Sequence, residues 1–241
     1  MLYIIGLGLN NRGISKEGLL ALEKCKKVYL ESYTVNFPYE LIDLKLSKQI
    51  FPLKREDVES NRLITEAKGR NVALLVYGSP LFATTHMSLI LDAEKQKIRV
   101  KVIYSASVFD AIAETGLHLY KFGKTTSLPA FDDKYETDFL KYVKENQSIN
   151  AHSLILIDIG LSSEDAFFYL EKAAKNNIKL DKIIVCSQLG TENSQIYYNT
   201  VYNLRRKKIE KPFCFIIPGE MHFLEKEALE RFSKKEDNEE Y

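Results

Sequence analysis

The chain has 241 residues, 45% of them hydrophobic, which is apolar material enough for a buried core in one large domain or two small ones. Its 34 Lys and Arg balance 33 Asp and Glu to a net charge of +1, so no global field drives it onto nucleic acid or an anionic membrane. Cys25, Cys186 and Cys214 are odd in number and too scattered for a disulfide framework, no apolar run nears the ~20 residues of a bilayer span, and the first residues lack a basic signal-peptide region; these features predict a soluble, cytoplasmic protein.

Short β-branched or aliphatic runs alternate with longer amphipathic segments. Residues 2–7 read as a buried strand, and 15–27 as a helix with Ser15 as N-cap and Leu19, Leu22 and Cys25 on one face. A strand at 28–33, a helix at 56–68, a strand at 72–77, a helix at 85–97, a strand at 100–104 and a short helix at 107–115 follow. This β-α-β-α rhythm predicts a mostly parallel sheet flanked by helices. It lapses between about residues 117 and 133, where Gly123 and Pro129 suggest a linker. It resumes with a helix at 135–146, a strand at 153–159, a helix at 163–176, strands at 182–187 and 213–217, and a helix at 222–232. Two α/β domains are therefore expected, residues 1–123 and 124–233, with a charged disordered tail at 234–241.

Several loops fall where open α/β sheets bind ligands, beyond the carboxyl ends of strands. Gly6-Leu7-Gly8-Leu9 closes the first strand, and glycines there let a backbone turn sharply and approach a ligand. A dinucleotide fingerprint would need a third glycine where Asn11 stands, although Glu31 could serve as an acidic ribose ligand. A plain tight turn explains the glycines equally well. Gly78-Ser79-Pro80-Leu81-Phe82-Ala83-Thr84-Thr85-His86 joins a buried strand to a helix; it reads as a ligand loop or as a turn with Thr84 or Thr85 as cap. Tyr104-Ser105-Ala106-Ser107 leaves room for a ligand, or Ser107 merely caps the next helix. Residues 116–123 read as an edge strand or as a cleft lining, and Pro218-Gly219 as a turn. No HExxH, Walker loop or Gly-x-Ser-x-Gly elbow occurs, and His86, His118, His152 and His222 show no metal-ligand spacing. The run Arg205-Arg206-Lys207-Lys208 reads as a solvated face.

Taken together, Tyr3-Ile4-Ile5-Gly6-Leu7-Gly8-Leu9, Glu31-Ser32-Tyr33-Thr34, Arg55-Glu56-Asp57-Val58-Glu59, the block at 78–86, Thr115-Gly116-Leu117-His118-Leu119-Tyr120-Lys121-Phe122-Gly123 and Pro218-Gly219-Glu220-Met221-His222 resemble the diphthine synthase family of tetrapyrrole-methylase-like methyltransferases. The resemblance implies two α/β domains, the first with a mostly parallel sheet and the second with a mixed sheet, and S-adenosylmethionine bound in the cleft between them. It implies a cytoplasmic homodimer whose protein substrate is translation elongation factor 2. A modified histidine of that factor is methylated repeatedly on its 3-amino-3-carboxypropyl amine, on the way to diphthamide. By position, the implied donor contacts fall on Leu9, Ser79, Phe82, Ser107 and Val108, and in the second domain on Ile157, Leu189 and Phe213. No catalytic base, metal, membrane or nucleic-acid partner is implied. Ser79 stands where the family usually has aspartate, and Phe213 where histidine is common. Two other readings use the same residues: a methyltransferase of this fold acting on a tetrapyrrole or RNA, and a nicotinamide-dependent oxidoreductase using Gly6, Gly8 and Glu31.

Overall fold

The structure is a computed structural model and describes residues 1–130, 138–175, 177–178 and 180–233. The expected disordered tail at 234–241 and the first residues of the helix expected from 135 lie outside the described residues. The chain forms two compact units, Met1–Asp110 and Ala111–Tyr241. Residues 111–123, which the sequence placed with the first half, group with the second. Their backbone is bonded there: Gly123 donates to the His152 carbonyl at 2.9 Å and His152 to the Lys121 carbonyl at 3.0 Å.

The first unit contains β1 (Leu2–Gly6), α1 (Lys16–Glu23), β2 (Lys27–Glu31), β3 (Ile50–Leu53), α2 (Arg55–Glu59), α3 (Arg62–Gly69), β4 (Val72–Val76), α4 (His86–Lys95) and β5 (Val100–Ile103); α5 (Val108–Ala111) lies at the division. Its sheet has the order β3-β2-β4-β1-β5, with every pairing parallel. The two-residue period of a strand divides the core. Leu2, Ile4, Tyr29 and Leu74 pack on one face with Leu63 and Ile64 of α3 and Leu89 of α4. Ile5, Leu30 and Leu75 pack on the other with Ala21 and Leu22 of α1. Burial on both faces is why β1 and β4 read as continuous apolar runs rather than alternations. Because β1, β4 and β5 are adjacent and parallel, their carboxyl-end loops emerge side by side.

Ser15 caps α1 as expected, accepting the Gly18 amide at 3.0 Å. The single helix expected over 56–68 is two helices. Ser60 between them is extended, with φ −82° and ψ 168°. Its hydroxyl donates to the Asp57 carbonyl at 2.7 Å and accepts from Arg62 at 3.2 Å. Such local side-chain bonds compete with the helix ladder.

The second unit contains β6 (Thr126–Leu128), α6 (Asp138–Ser148), β7 (Ser153–Ile157), α7 (Ser163–Ala174), β8 (Ile183–Ser187), β9 (Gln195–Asn199), α8 (Val201–Leu204), β10 (Phe213–Ile217) and α9 (Phe223–Glu230). The order is β6-β7-β10-β8-β9, parallel only between β6 and β7, so the sheet is mixed. Phe167 of α7 stacks on Phe215 of β10 at 4.9 Å, at the centre of a core that includes Leu128, Val143, Ile155 and Val185. All three cysteines are free and buried. Cys186 and Cys214 are register partners across β8 and β10, a proximity hidden by their sequence separation. The 116–123 block is not an edge strand. It forms a 3-10 turn over Leu119–Lys121 and one isolated bridge from Phe122 to His152. Among the described residues, no helix is long and apolar enough to cross a membrane.

Candidate functional site

At the carboxyl edge of the first sheet, three loops are bonded to one another. Gly78 donates to the Gly8 carbonyl at 3.0 Å, and Gly8 donates back at 3.3 Å. Ser105 Oγ donates to the Gly13 carbonyl at 2.8 Å. Tyr77 Oη donates to the Leu9 carbonyl at 3.0 Å. The ends of β1, β4 and β5 are thus tied before any ligand arrives. Gly6 lies at the base of this junction. A Cβ there would meet the Gly78 carbonyl oxygen at 2.6 Å and Pro80 Cδ and Ser105 Cβ at 3.0 Å. Gly78 is the opposite case. Its φ of +69° suits glycine, yet a Cβ there would meet nothing nearer than the Ala106 carbonyl oxygen at 3.8 Å and Ser107 Cα at 3.9 Å. A Cβ at Gly78 would thus sit in ordinary van der Waals contact with the 105–108 loop, so the 78–82 and 105–108 loops pass close together here without a clash.

Five of the residues named from sequence lie on these three loops. Leu9 is buried, and Ser79 and Phe82 are half-buried on the loop after β4, where Phe82 donates its amide to the Ser79 carbonyl at 3.2 Å. Phe82 lies beside Phe109, with ring centroids 5.5 Å apart. Ser107 does cap α5. Its hydroxyl accepts the Phe109 amide at 3.2 Å and donates to Asp110 Oδ2 at 2.9 Å, while Asp110 accepts the Ser107 amide at 2.6 Å. Val108 is the first residue of that helix. The sequence singled out neither Tyr77 nor Asp110, and it marked Ser105 only as one small residue of the 104–107 block. Asp110, three residues after Ser107, carried a legible capping signature. The Tyr77 phenol that holds the Leu9 carbonyl left no local signal.

Glu31 is not a ribose ligand. It is 1% exposed, and its Oε2 lies 3.4 Å from His86 Nε2 inside the unit. Burial raises its carboxyl above the ordinary value, opposed in part by Thr34, His86 and Arg55. A carboxylate enclosed in this way cannot present itself to a sugar diol, so the oxidoreductase reading loses its acidic residue. Thr85 precedes α4 without making a side-chain cap bond. Thr84 Oγ1 and His86 Nδ1 instead hold the Pro80 carbonyl, at 3.1 and 2.8 Å.

The other three named residues meet at one end of the second sheet. Phe213 opens β10, Ile157 ends β7 and Leu189 follows β8. The antiparallel register pairs Phe213 with Ser187 and Cys214 with Leu156, which brings these positions to the same edge. Phe213 and Leu189 are buried, and the Phe213 ring lies 5.7 Å from that of Phe215. Phe213 belongs to the core of this unit, and Ile157 packs against it.

The 116–123 and 218–222 blocks converge on a residue that sequence motifs did not single out. Glu225 of α9 is fully buried. It accepts the His118 amide at 2.9 Å, the His222 amide at 2.7 Å, Lys121 Nζ at 2.8 Å and His152 Nε2 at 3.0 Å. Burial alone would raise its carboxyl. These donors outweigh burial and pull it down to about 2. His152 Nδ1 accepts the Gly219 amide at 2.9 Å, so its proton sits on Nε2, facing Glu225. Burial keeps that ring neutral to lower pH than an ordinary histidine. Pro218-Gly219 is therefore part of a helix cap organised around a buried carboxylate. The basic run behaves as a solvated face: Arg205 pairs with Glu171 at 2.9 Å and Lys208 with Glu210 at 2.5 Å.

The family model described as Tetrapyrrole (Corrin/Porphyrin) Methylases matches residues 1–205. The diphthine synthase of Methanococcus maripaludis is 36% identical over 249 residues, covering 95% of this chain and 97% of that protein. The diphthine methyl ester synthase of Schizosaccharomyces pombe is 30% identical over 272 residues, covering 99% and 96%. A crystal structure of a diphthine synthase superposes with a TM-score of 0.88 at 30% identity, covering 96% of this chain and 95% of that one. With loops tied at a parallel sheet's carboxyl edge, a mixed second sheet, and likeness over almost the whole chain, this protein belongs to the tetrapyrrole methylase family and, within it, to the diphthine synthases, which are methyltransferases.

Proposed function

We propose that the chain binds S-adenosylmethionine and methylates the 3-amino-3-carboxypropyl amine of a modified histidine on translation elongation factor 2, several times in succession. The observation that carries the donor half is the hydrogen-bonded junction of the three loops at the carboxyl ends of β1, β4 and β5, the loops that carry Leu9, Ser79, Phe82, Ser107 and Val108. These residues fit an adenosyl group: Leu9, Phe82 and Val108 are apolar, and Ser79 and Ser107 bring hydroxyls. Ile157, Leu189 and Phe213 of the second unit are apolar, a character compatible with an adenine ring. When bound, the donor supplies a methyl group already activated by its sulfonium, so the protein's task is to orient the acceptor amine in line and exclude water. Orientation of this kind is worth roughly 7–11 kcal/mol in favourable cases. We assign no side chain as general base; the amine needs only to be neutral when it attacks.

The acceptor half is supported by membership of the diphthine synthases and by the 115–123 and 218–222 blocks. The same membership supports a homodimer working in the cytoplasm, where the elongation factor is found. Light scattering at working concentration tests the dimer. Calorimetric titration with S-adenosylmethionine and with its demethylated product tests the donor site; saturable binding of both is expected, and binding of neither would overturn it.

A second reading comes from the name of the fission yeast relative, a methyl ester synthase. One of the methyl groups would then go to the carboxylate of the same side chain. Mild alkali separates the two, because an ester methyl is released and an N-methyl is retained.

A further inference from the structure

His86 and Glu31 form a buried pair directly beneath the 78–82 loop, and no step proposed so far uses them. Both are almost fully enclosed, at 2% and 1% exposure. His86 Nδ1 lies 2.8 Å from the Pro80 carbonyl oxygen. A carbonyl only accepts, so Nδ1 carries a hydrogen. In a neutral ring Nε2 is then a bare acceptor, and it faces Glu31 Oε2 at 3.4 Å. Neither carboxylate oxygen nor Nε2 has a hydrogen bond of good geometry. Two lone pairs facing each other out of water would repel, so a proton belongs between them.

We propose that Glu31 and His86 are positioning residues that share one proton and thereby hold the Pro80 carbonyl, and with it Ser79 and Phe82, in the arrangement that binds the methyl donor. This rests on the reading of the 78–82 loop as part of the donor site. Withdrawal of the shared proton at alkaline pH leaves a buried carboxylate against a bare nitrogen, and the ring's hold on Pro80 weakens. Among the described residues, the other charged and titratable groups around the pair are Arg55 and Tyr33, with Glu59 and Asp92 lining the small cavity beside His86. Thr34 adds a hydroxyl and an amide next to Glu31. Burial drives the Tyr33 phenol up to about 12, beyond the range in which the pair is tested.

The test is calorimetric titration with S-adenosylhomocysteine from about pH 6 to about pH 9 on the wild type and on H86A, H86N and E31Q. Wild-type affinity is expected to fall toward alkaline pH. H86A, which lacks the donor to Pro80, is expected to bind about tenfold more weakly. The asparagine amide of H86N takes the place of Nδ1 and is expected to recover most of that loss, without the pH dependence. E31Q, whose amide can donate to a bare Nε2, is expected to flatten the dependence as well. Thermal melting checks folding, and if H86A does not fold, H86N and E31Q decide the matter. Equal affinity of H86A and wild type, or a wild-type pH profile in E31Q or H86N, overturns the pair while leaving the donor site standing. A wild type that binds no donor at any pH overturns the donor-site reading and the pair with it.

Discussion

Gly8 and Gly78 exchange backbone hydrogen bonds across the ends of β1 and β4, each donating to the other's carbonyl. That reciprocal pair sets the floor of the candidate donor site and makes two neighbouring glycines differ in consequence. In G6A the new Cβ would fall 2.6 Å from the Gly78 carbonyl oxygen, which is backbone and cannot step aside. In G78A nothing lies within 3.8 Å, and the cost is the left-handed φ of +69° alone, about 1–2 kcal/mol. G6A should lose donor binding and melt well below the wild type. G78A should fold, with a modest drop in melting temperature. Equal melting temperatures for the two would contradict the junction described here.

The buried Glu225 gives the second unit an acid limit. Its folded pKa, about 2, lies below the ordinary 4.5. A depressed carboxylate contributes stability that is whole above about pH 4.5 and is lost as pH falls toward about 2. The shift corresponds to on the order of 3 kcal/mol. E225Q should therefore be less stable near neutral pH by about that amount, since Lys121 and His152 lose their charged partner. It should also show a flatter decline across the acid window. Urea midpoints measured at about pH 7 and about pH 3 on both proteins check this; parallel declines would argue against Glu225 as the source.

Ser79 offers a test of charge at the donor loop. An aspartate in its place would bring a carboxylate near the sulfonium of S-adenosylmethionine, while S-adenosylhomocysteine carries no such charge. S79D should raise the affinity for the charged donor over the neutral product by about tenfold, as expected for a partly screened pair. An unchanged ratio would place Ser79 away from the sulfur.

Much of this architecture was readable from residue order, and the exceptions have physical reasons. β1 and β4 are short apolar runs because helices cover both faces of their sheet. β3 escaped notice because Pro52 interrupts Ile50–Leu53, a composition suited only to the edge position that β3 occupies. β6 is three residues long and sat within what looked like a linker. The loops holding Leu9, Ser79 and Ser107 were legible as glycine-rich or small-residue turns at strand ends. Tyr77, reaching 68 positions back to Leu9, was not. His152 and Glu225 are 73 residues apart and meet only because β7 and the start of α9 are neighbours in space. Glu31 suggested a ribose ligand by its place at the end of β2; only the fold shows it turned inward to His86.

The most direct test of the methyl-transfer reading is incubation of the purified chain with isotopically labelled S-adenosylmethionine and elongation factor 2 bearing the 3-amino-3-carboxypropyl histidine, followed by mass spectrometry of the peptide containing that residue. The expected result is a ladder of successive methyl additions on the side-chain amine. Donor binding without any label on that histidine would contradict it.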